Sequence, residues 1–226
     1  MRSTAAKYPD YKLRPLRADD VTQLKYLHTQ WFPVEYPNSW YHDITTDTER
    51  YMTLAAVQED TIIGLVVTEL RQSKSCSPDE IALLDRAQLR DSILTYIMTL
   101  GVRQPFRRMG IASVLVKEIL SRLKTLPEVK GVYLHVLASN KHAIKFYESL
   151  GFGCCEFIPH YYSIMGHFQN AYCYILYMHD GQPPPTPMQV IIRSLRSVFS
   201  YVYTLWMYVY MATKSKLRQH RTIAAG

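Results

Sequence analysis

Apolar residues in this chain gather in short dense runs separated by polar breaks, and the spacing within each run predicts its structure. Ile93 to Val102, ILTYIMTLGV, is apolar at nearly every position, the pattern of a strand covered on both faces. RRMGIASVLVKEILSRLKTL follows as an amphipathic helix, and VYLHVLA as a second apolar strand. Strand, helix and strand within about 45 residues predict a βαβ unit with its two strands side by side.

The flanking pattern extends this unit into one sheet. YKLRPLR, Tyr11 to Arg17, reads as a short first strand that Pro15 confines to an edge or a bulge. Asp19 and Asp20 open a helix over DDVTQLKYLHTQWF, with acidic residues at the positive end of its dipole. In FPVEYPNSWYHDITTD, Pro33 and Pro37 break regular structure, which predicts an apolar loop that covers something. YMTLAAVQ and TIIGLVVTEL, joined at Glu59 and Asp60, form a hairpin pattern, and RQSKSCSPDEIALLDRAQLRDS is polar and irregular with one helical turn after Pro78. Beyond the βαβ unit, NKHAIKFYESLGF is a helix closed by Gly151. Gly153 to Ile158 and NAYCYILYMH are strands around an aromatic turn, HYYSIMGHF. The run Gln182 to Pro187 ends the fold, since no helix or sheet continues through it. The expectation is α/β: a single domain over 1–182 with a mixed, central twisted sheet flanked by helices, then a Pro-rich linker and tail over 183–226.

Charge changes the picture in one respect. The formal net charge is +7, but the stretch from Met188 to Gly226 holds six basic residues and no acidic one. Before Met188, twenty basic residues face 19 acidic ones, so the main body is near neutral and no nucleic-acid partner is expected. Cys76, Cys154, Cys155 and Cys173 lack metal-ligand spacing, so no metal is expected and a reduced, cytosol-facing setting is. MRSTAAKYPDYKLRP lacks the apolar run of a signal peptide, and no N-x-S/T acceptor occurs, which argues against secretion.

Candidate chemistry begins where ILTYIMTLGV ends. Arg107-x-x-Gly110-x-Ala112 opens the following helix and matches Q/R-x-x-G-x-G/A. Successive backbone amides and a helix N-terminus converge there on an anion, with Arg107 and Arg108 adding charge. Neither a Walker loop nor G-x-G-x-x-G is present.

With WFPVEYPNSWYHDIT, LTYIMTLGV, YLHVLASN, AIKFYESLGF and HYYSIMG, this motif resembles the GNAT superfamily of acetyltransferases, and within it the NatF-type N-alpha-acetyltransferases, over roughly Tyr11 to Pro184. The resemblance implies a GNAT-type domain that uses acetyl-CoA as co-substrate and acetylates protein N-termini, those with Met before a hydrophobic or amphipathic residue. It places pantetheine along Leu100, Gly101 and Val102, and the pyrophosphate over Arg107, Arg108, Met109, Gly110, Ile111, Ala112 and Ser113. Asn140 and Tyr147 become further cofactor contacts, with the Tyr147 hydroxyl as proton donor to the leaving sulfur. Tyr96 and His135 match the catalytic pair; Phe32, Val34, Tyr36, Met98, Tyr161 and Tyr162 become walls for the peptide, and Glu35 a carboxylate for its cationic end.

Strand parity puts Tyr96, Met98 and Leu100 on one face of their strand, and Tyr133, His135 and Leu137 on one face of theirs. On neighbouring strands Tyr96 and His135 then look into one cleft. An α-amine, with a pKa near 7.7–8.0, is about one-fifth neutral at pH ~7.2, whereas a lysine is neutral to about one part in a thousand. A neutral imidazole acting directly or through water suits the first substrate, with Tyr96 orienting that water.

In the tail, Ile191, Leu195, Val198, Val202, Leu205 and Val209 recur at helical spacing, and Ser197 to Thr213 carries no charge. Tyr201, Tyr203, Tyr208 and Tyr210, with Arg193 and Arg196 before and Lys214, Lys216, Arg218 and Arg221 after, suit an anionic membrane surface. Packing on the domain and spanning a bilayer remain alternatives. The resemblance points to the cytosolic face of the Golgi. A monomer or weak homodimer is expected. The competing functions are a lysine N-epsilon acetyltransferase of histone type and a catalytically silent, membrane-tethered acyl-CoA or peptide-binding module.

Overall fold

In the computed structural model, described for residues 10–32, 36–192 and 195–196, the βαβ unit stands at the centre of a seven-stranded sheet. The strands are β1 (Lys12–Arg14), β2 (Tyr51–Gln58), β3 (Thr61–Gln72), β4 (Ile93–Val102), β5 (Val129–Leu137), β6 (Gly153–Ile164) and β7 (His167–Tyr177), in the order β1-β2-β3-β4-β5-β7-β6. Only β4 and β5 are parallel neighbours; every other pair is antiparallel. Glu59 (φ 46°) and Asp60 (φ 62°) take left-handed conformations in the two-residue turn of the β2–β3 hairpin.

The helices are α1 (Val21–Trp31), α2 (Asn38–Thr46), α3 (Pro78–Ile81), α4 (Ile111–Leu123) and α5 (Lys141–Ser149). Leu115, Val116 and Ile119 of α4 and Ile144 of α5 bury against Val132, Leu134 and Val136 of β5 on one face of the sheet. On the other face, Leu24, Leu27 and Ile44 of α1 and α2 close over Ala55, Leu65 and Val67. Each such large apolar side chain contributes about 1.5–3 kcal/mol by leaving water. A third cluster sets Leu83 and Leu84 on Leu94, Tyr133 and Ile175.

Three sequence expectations change. Pro37 does not prevent a helix: it occupies the N-cap of α2 with φ −66° and ψ 154°, a position where its missing N–H costs nothing. HYYSIMGHF is not a turn throughout. The β6–β7 hairpin continues to Ile164↔His167, and only Met165 (φ 50°) and Gly166 (φ 76°) form the reversal. Leu100 does not share the face of Tyr96 and Met98. Ile97 pairs with Thr68 and Thr99 with Val67, so Met98 is an extra residue bulged out of the ladder. That insertion flips the parity, and Leu100 packs with Ile97 in the α4 cluster while Met98 packs in the α1–α2 cluster.

The chain divides into two compact units, 1–183 and 184–226. In the second, a helix runs over 187–192 and is opened by a reciprocal cap: Thr186 Oγ1 accepts from the Gln189 amide at 3.3 Å, and Gln189 Oε1 from the Thr186 amide at 2.8 Å. The helix thus starts inside the proline run, with Pro187 as its first residue. The charge-free part of the predicted tail, 197–213, lies outside the described residues. Among the described residues, no helix is long and apolar enough to cross a membrane, and no group of His, Cys, Asp or Glu could hold a metal ion.

Candidate active site

β4 and β5 pair from Ile93↔Val129 to Tyr96↔Tyr133 and no further. Beyond that point β4 continues with β3 to Val102, and β5 with β7 to Leu137. The parallel strands therefore diverge in their C-terminal halves, and the edge of β4 that carries Leu100, Gly101 and Val102 has no strand on the β5 side.

At the head of this cleft, Tyr96 and His135 meet as the parity argument predicts. The Tyr96 hydroxyl lies 3.3 Å from His135 Nδ1, and the two rings meet edge to face at 5.6 Å. Tyr161 joins them. A wide bulge places Pro159, His160 and Tyr161 opposite the single residue Asn170, with His160 at φ 56° and its amide donating to Asn170 Oδ1 at 3.0 Å. The bulge turns Tyr161 onto the His135 ring, centroids 4.4 Å apart and stacked, with its hydroxyl 3.0 Å from Nδ1. Tyr162 donates to the His135 carbonyl at 3.1 Å. Both tyrosines, expected as peptide walls, also touch the candidate base.

Burial pushes the His135 imidazole down to about 4, with Glu80 pulling it up and Arg71 pushing it further down. The ring is neutral at neutral pH. Burial, then the nearby Tyr161 and Tyr162 hydroxyls, holds Tyr96 well above the usual tyrosine range, and burial likewise raises Tyr161. Both phenols keep their protons, and each can donate to Nδ1 or accept from it according to the imidazole tautomer. In the tautomer with the proton on Nε2, the single lone pair of Nδ1 takes one such donated bond.

Sequence patterning missed the charged shelf behind this pair. Arg71 donates through Nε to Glu69 Oε2 at 2.7 Å and also pairs with Glu80, while Arg50 holds the other oxygen of Glu69 at 2.8 Å. Tyr133 donates to Glu80, and its hydroxyl accepts from Arg71 at 3.2 Å. The Arg71 guanidinium sits 5.0 Å from the centroid of the Tyr96 ring. Glu80 is fixed by a capping box with Ser77, the one local signal, S-x-x-E, that the sequence carries. A cavity of about 270 Å³ lies beside His135, lined by Tyr133, Tyr161, Asp79, Glu80 and Glu156.

The predicted phosphate turn lies past the open end of β4. Arg108 (φ 64°) and Gly110 (φ 80°) adopt left-handed conformations, and Gly110 is the N-cap of α4 with no side-chain cap. The amides of Ile111, Ala112 and Ser113 therefore point out of the helix end without a partner from a capping side chain, a cradle for an anion. An added Cβ at Gly110 meets nothing within 4 Å, so the glycine is required by its backbone conformation rather than by space. Ile111 buries its side chain in the core and offers only its amide. Met109 is exposed, and Arg107 ties the turn back to β4 by donating to the Val102 carbonyl at 2.9 Å. These features fit a cofactor carrying a pyrophosphate and an extended pantetheine arm.

Asn140 caps α5, its Oδ1 accepting from the Ala143 amide at 3.0 Å, which leaves the amide Nδ2 as a donor. Tyr147 is buried on α5 against Phe152, and burial raises its hydroxyl above the usual range. Tyr162 is raised by burial and then by the hydroxyls of Tyr161, Tyr36 and Tyr147.

Of the proposed walls, Phe32 and Tyr36 are half-buried, and Met98 and Tyr36 both pack against the α1–α2 cluster; Val34 and Glu35 lie outside the described residues. Phe32, Tyr36, Trp40 and Tyr41 place their ring centroids 5.4–5.5 Å from His28. His28 is 1% exposed, and among the described residues neither ring nitrogen has a hydrogen-bond partner. Trp31 covers Gly101 so closely that an added Cβ would lie 2.0 Å from its ring.

These features agree with the comparisons. The Acetyltransferase (GNAT) family model matches residues 21–152. N-alpha-acetyltransferase 60 of Xenopus tropicalis is 38% identical over 188 residues, 82% of this chain and 77% of its own length. The crystal structure of Arabidopsis thaliana NAA60 in complex with a bisubstrate analogue superposes with a TM-score of 0.68 at 27% identity, over 76% of this chain and 100% of that one. The same Arabidopsis protein in complex with acetyl-CoA gives 0.67 at 27% identity, over 75% and 99%. The chain belongs to the GNAT acetyltransferase family.

Proposed function

We propose that this acetyl-CoA-dependent N-alpha-acetyltransferase acts on N-termini that begin with Met followed by a hydrophobic or amphipathic residue, on membrane proteins whose N-termini face the cytosol, at the cytosolic face of the Golgi. The observation that carries the chemistry is the neutral His135 ring, whose Nδ1 meets two phenol hydroxyls at 3.0 and 3.3 Å.

Bound acetyl-CoA supplies a thioester carbonyl and a thiol leaving group. The cradle at Arg108 to Ser113 and the open edge of β4 hold and orient it. His135 Nδ1 receives the proton that the amine nitrogen sheds as the amide forms, directly or through a water in place of a phenol. With its proton affinity lowered to about 4, His135 is too weak to strip a free ammonium of pKa near 8, a transfer uphill by about 5 kcal/mol. An α-amine needs little such help, since its neutral form costs about 1 kcal/mol near pH 7, against about 5 kcal/mol for a lysine. The site therefore favours N-termini over lysines. The Tyr147 hydroxyl, neutral at any working pH, serves as proton donor to the departing sulfur.

Phe32, Tyr36 and Met98 give apolar contact to an initiator methionine, and the tail's uncharged run flanked by bases supports the membrane assignment. Incubation of the purified full chain with acetyl-CoA and peptides beginning Met-Leu, Met-Ile or Met-Lys is expected to acetylate the α-amine. Transfer confined to internal lysines, with none at any free N-terminus, overturns the proposal.

A further inference from the structure

We propose that the tip of the β6–β7 hairpin is a second membrane contact, distinct from the tail, which holds the active-site mouth at the lipid surface. The inference rests on the membrane reading above.

From Phe157 to Met178 the chain contains no Asp, Glu, Lys or Arg. This hairpin nevertheless projects apolar side chains into solvent: Met165 is 91% exposed, Phe168 68% and Phe157 48%. The two-residue reversal at Met165 and Gly166 puts Met165 at the extremity, with Phe168 just behind it on β7. The exposed Ser163 and His167 flank the reversal, and His160, Tyr161, Tyr162, Gln169 and Asn170 follow, so the hairpin grades from a tip led by Met165 and Phe168 to an aromatic and polar belt. That gradient matches the depth profile of an interface, where methionine and phenylalanine enter the acyl boundary and tyrosine stays with the headgroups. Beyond Glu156 the hairpin, with no Asp, Glu, Lys or Arg, offers few ion pairs to a protein partner, whereas a lipid surface requires none.

The chain outside the described structure argues for the same occupant. Residues 197–213 are uncharged, and Lys214, Lys216, Arg218 and Arg221 follow. One amphipathic segment binds a bilayer marginally, and a second contact raises the joint affinity by effective concentration. Tyr161, stacked on His135, lies on β6 four residues before Met165 in the reversal, so docking of the tip keeps the catalytic centre beside the membrane.

The test is sedimentation of the full chain with phosphatidylcholine–phosphatidylserine vesicles, wild type against Met165→Asp/Phe168→Asp and the milder Met165→Ser/Phe168→Ser. Acetylation of a soluble peptide and of a lipid-anchored peptide with a free N-terminus is measured in parallel. The expected result is an affinity for vesicles about tenfold or more lower in the Asp variant and intermediate in the Ser variant. Turnover of the soluble peptide stays unchanged and that of the anchored peptide falls. Unchanged vesicle affinity overturns the hairpin contact and leaves the tail reading standing, and so does a raised KM for soluble peptide with vesicle affinity intact, which makes the tip a peptide wall. Failure of the wild type itself to sediment overturns both readings.

Discussion

Tyr161 lies stacked on His135, ring centroids 4.4 Å apart, with its hydroxyl 3.0 Å from Nδ1. This contact reaches across β7, since β5 carries the histidine and the bulge of β6 the tyrosine. It also gives Nδ1 a hydroxyl partner that keeps its own proton.

Tyr161→Phe keeps the stack and removes the hydroxyl. A fall in kcat of about tenfold is expected, the value of one hydrogen bond of about 1.4 kcal/mol, with KM for the peptide nearly unchanged. Steady-state kinetics check the split; a large rise in KM with kcat preserved makes Tyr161 a wall only.

Acid sensitivity should come from histidines kept neutral. Burial lowers both His28 and His135 from an ordinary 6.5 to about 4. Between those values the unfolded chain binds protons that the folded one refuses. Their stabilisation is therefore fully present above about 6.5 and is lost as pH falls towards 4. For His28 alone, which is 1% exposed, this amounts to roughly 3 kcal/mol. Urea midpoints at pH 7 and pH 5 should differ in the wild type and differ less in His28→Phe. Equal pH sensitivity in the two proteins removes His28 from the account.

Gly101→Ala forces a methyl to within 2.0 Å of the Trp31 ring, which must move. A loss of about 1–3 kcal/mol is expected, together with a raised KM for acetyl-CoA because the open edge of β4 shifts. Gly101→Ala combined with Trp31→Leu should recover most of the stability. If the single variant is as stable as the wild type, Trp31 is not held against β4.

The βαβ unit was legible because dense apolar runs are what a doubly covered strand requires, and the Tyr96–His135 pairing because side chains alternate on a strand. Leu100 was misplaced for a reason invisible at that level. The extra residue at Met98 shows only in the ladder with β3, and one inserted residue reverses every side chain beyond it. Pro37 was read as a breaker, although a proline just before a helix removes only a donor that has no partner. Arg71, Glu80 and Tyr133 come from β3, α3 and β5, and no local periodicity connects an arginine near a strand end with a carboxylate in a polar loop. The proximity of Tyr161 to His135 depends on the bulge at Pro159 to Tyr161, which the alternation of HYYSIMGHF conceals.

The most direct test is turnover of His135→Ala on a Met-Leu peptide, measured from pH 6 to pH 9 beside the wild type and with folding verified by its urea midpoint. A fall in kcat of about a hundredfold or more is expected. The wild-type kcat/KM should follow the substrate's α-amine near 7.7–8.0, with no inflection near 6.5. A folded variant within about threefold of wild-type turnover contradicts the assignment of His135 Nδ1 as the proton acceptor.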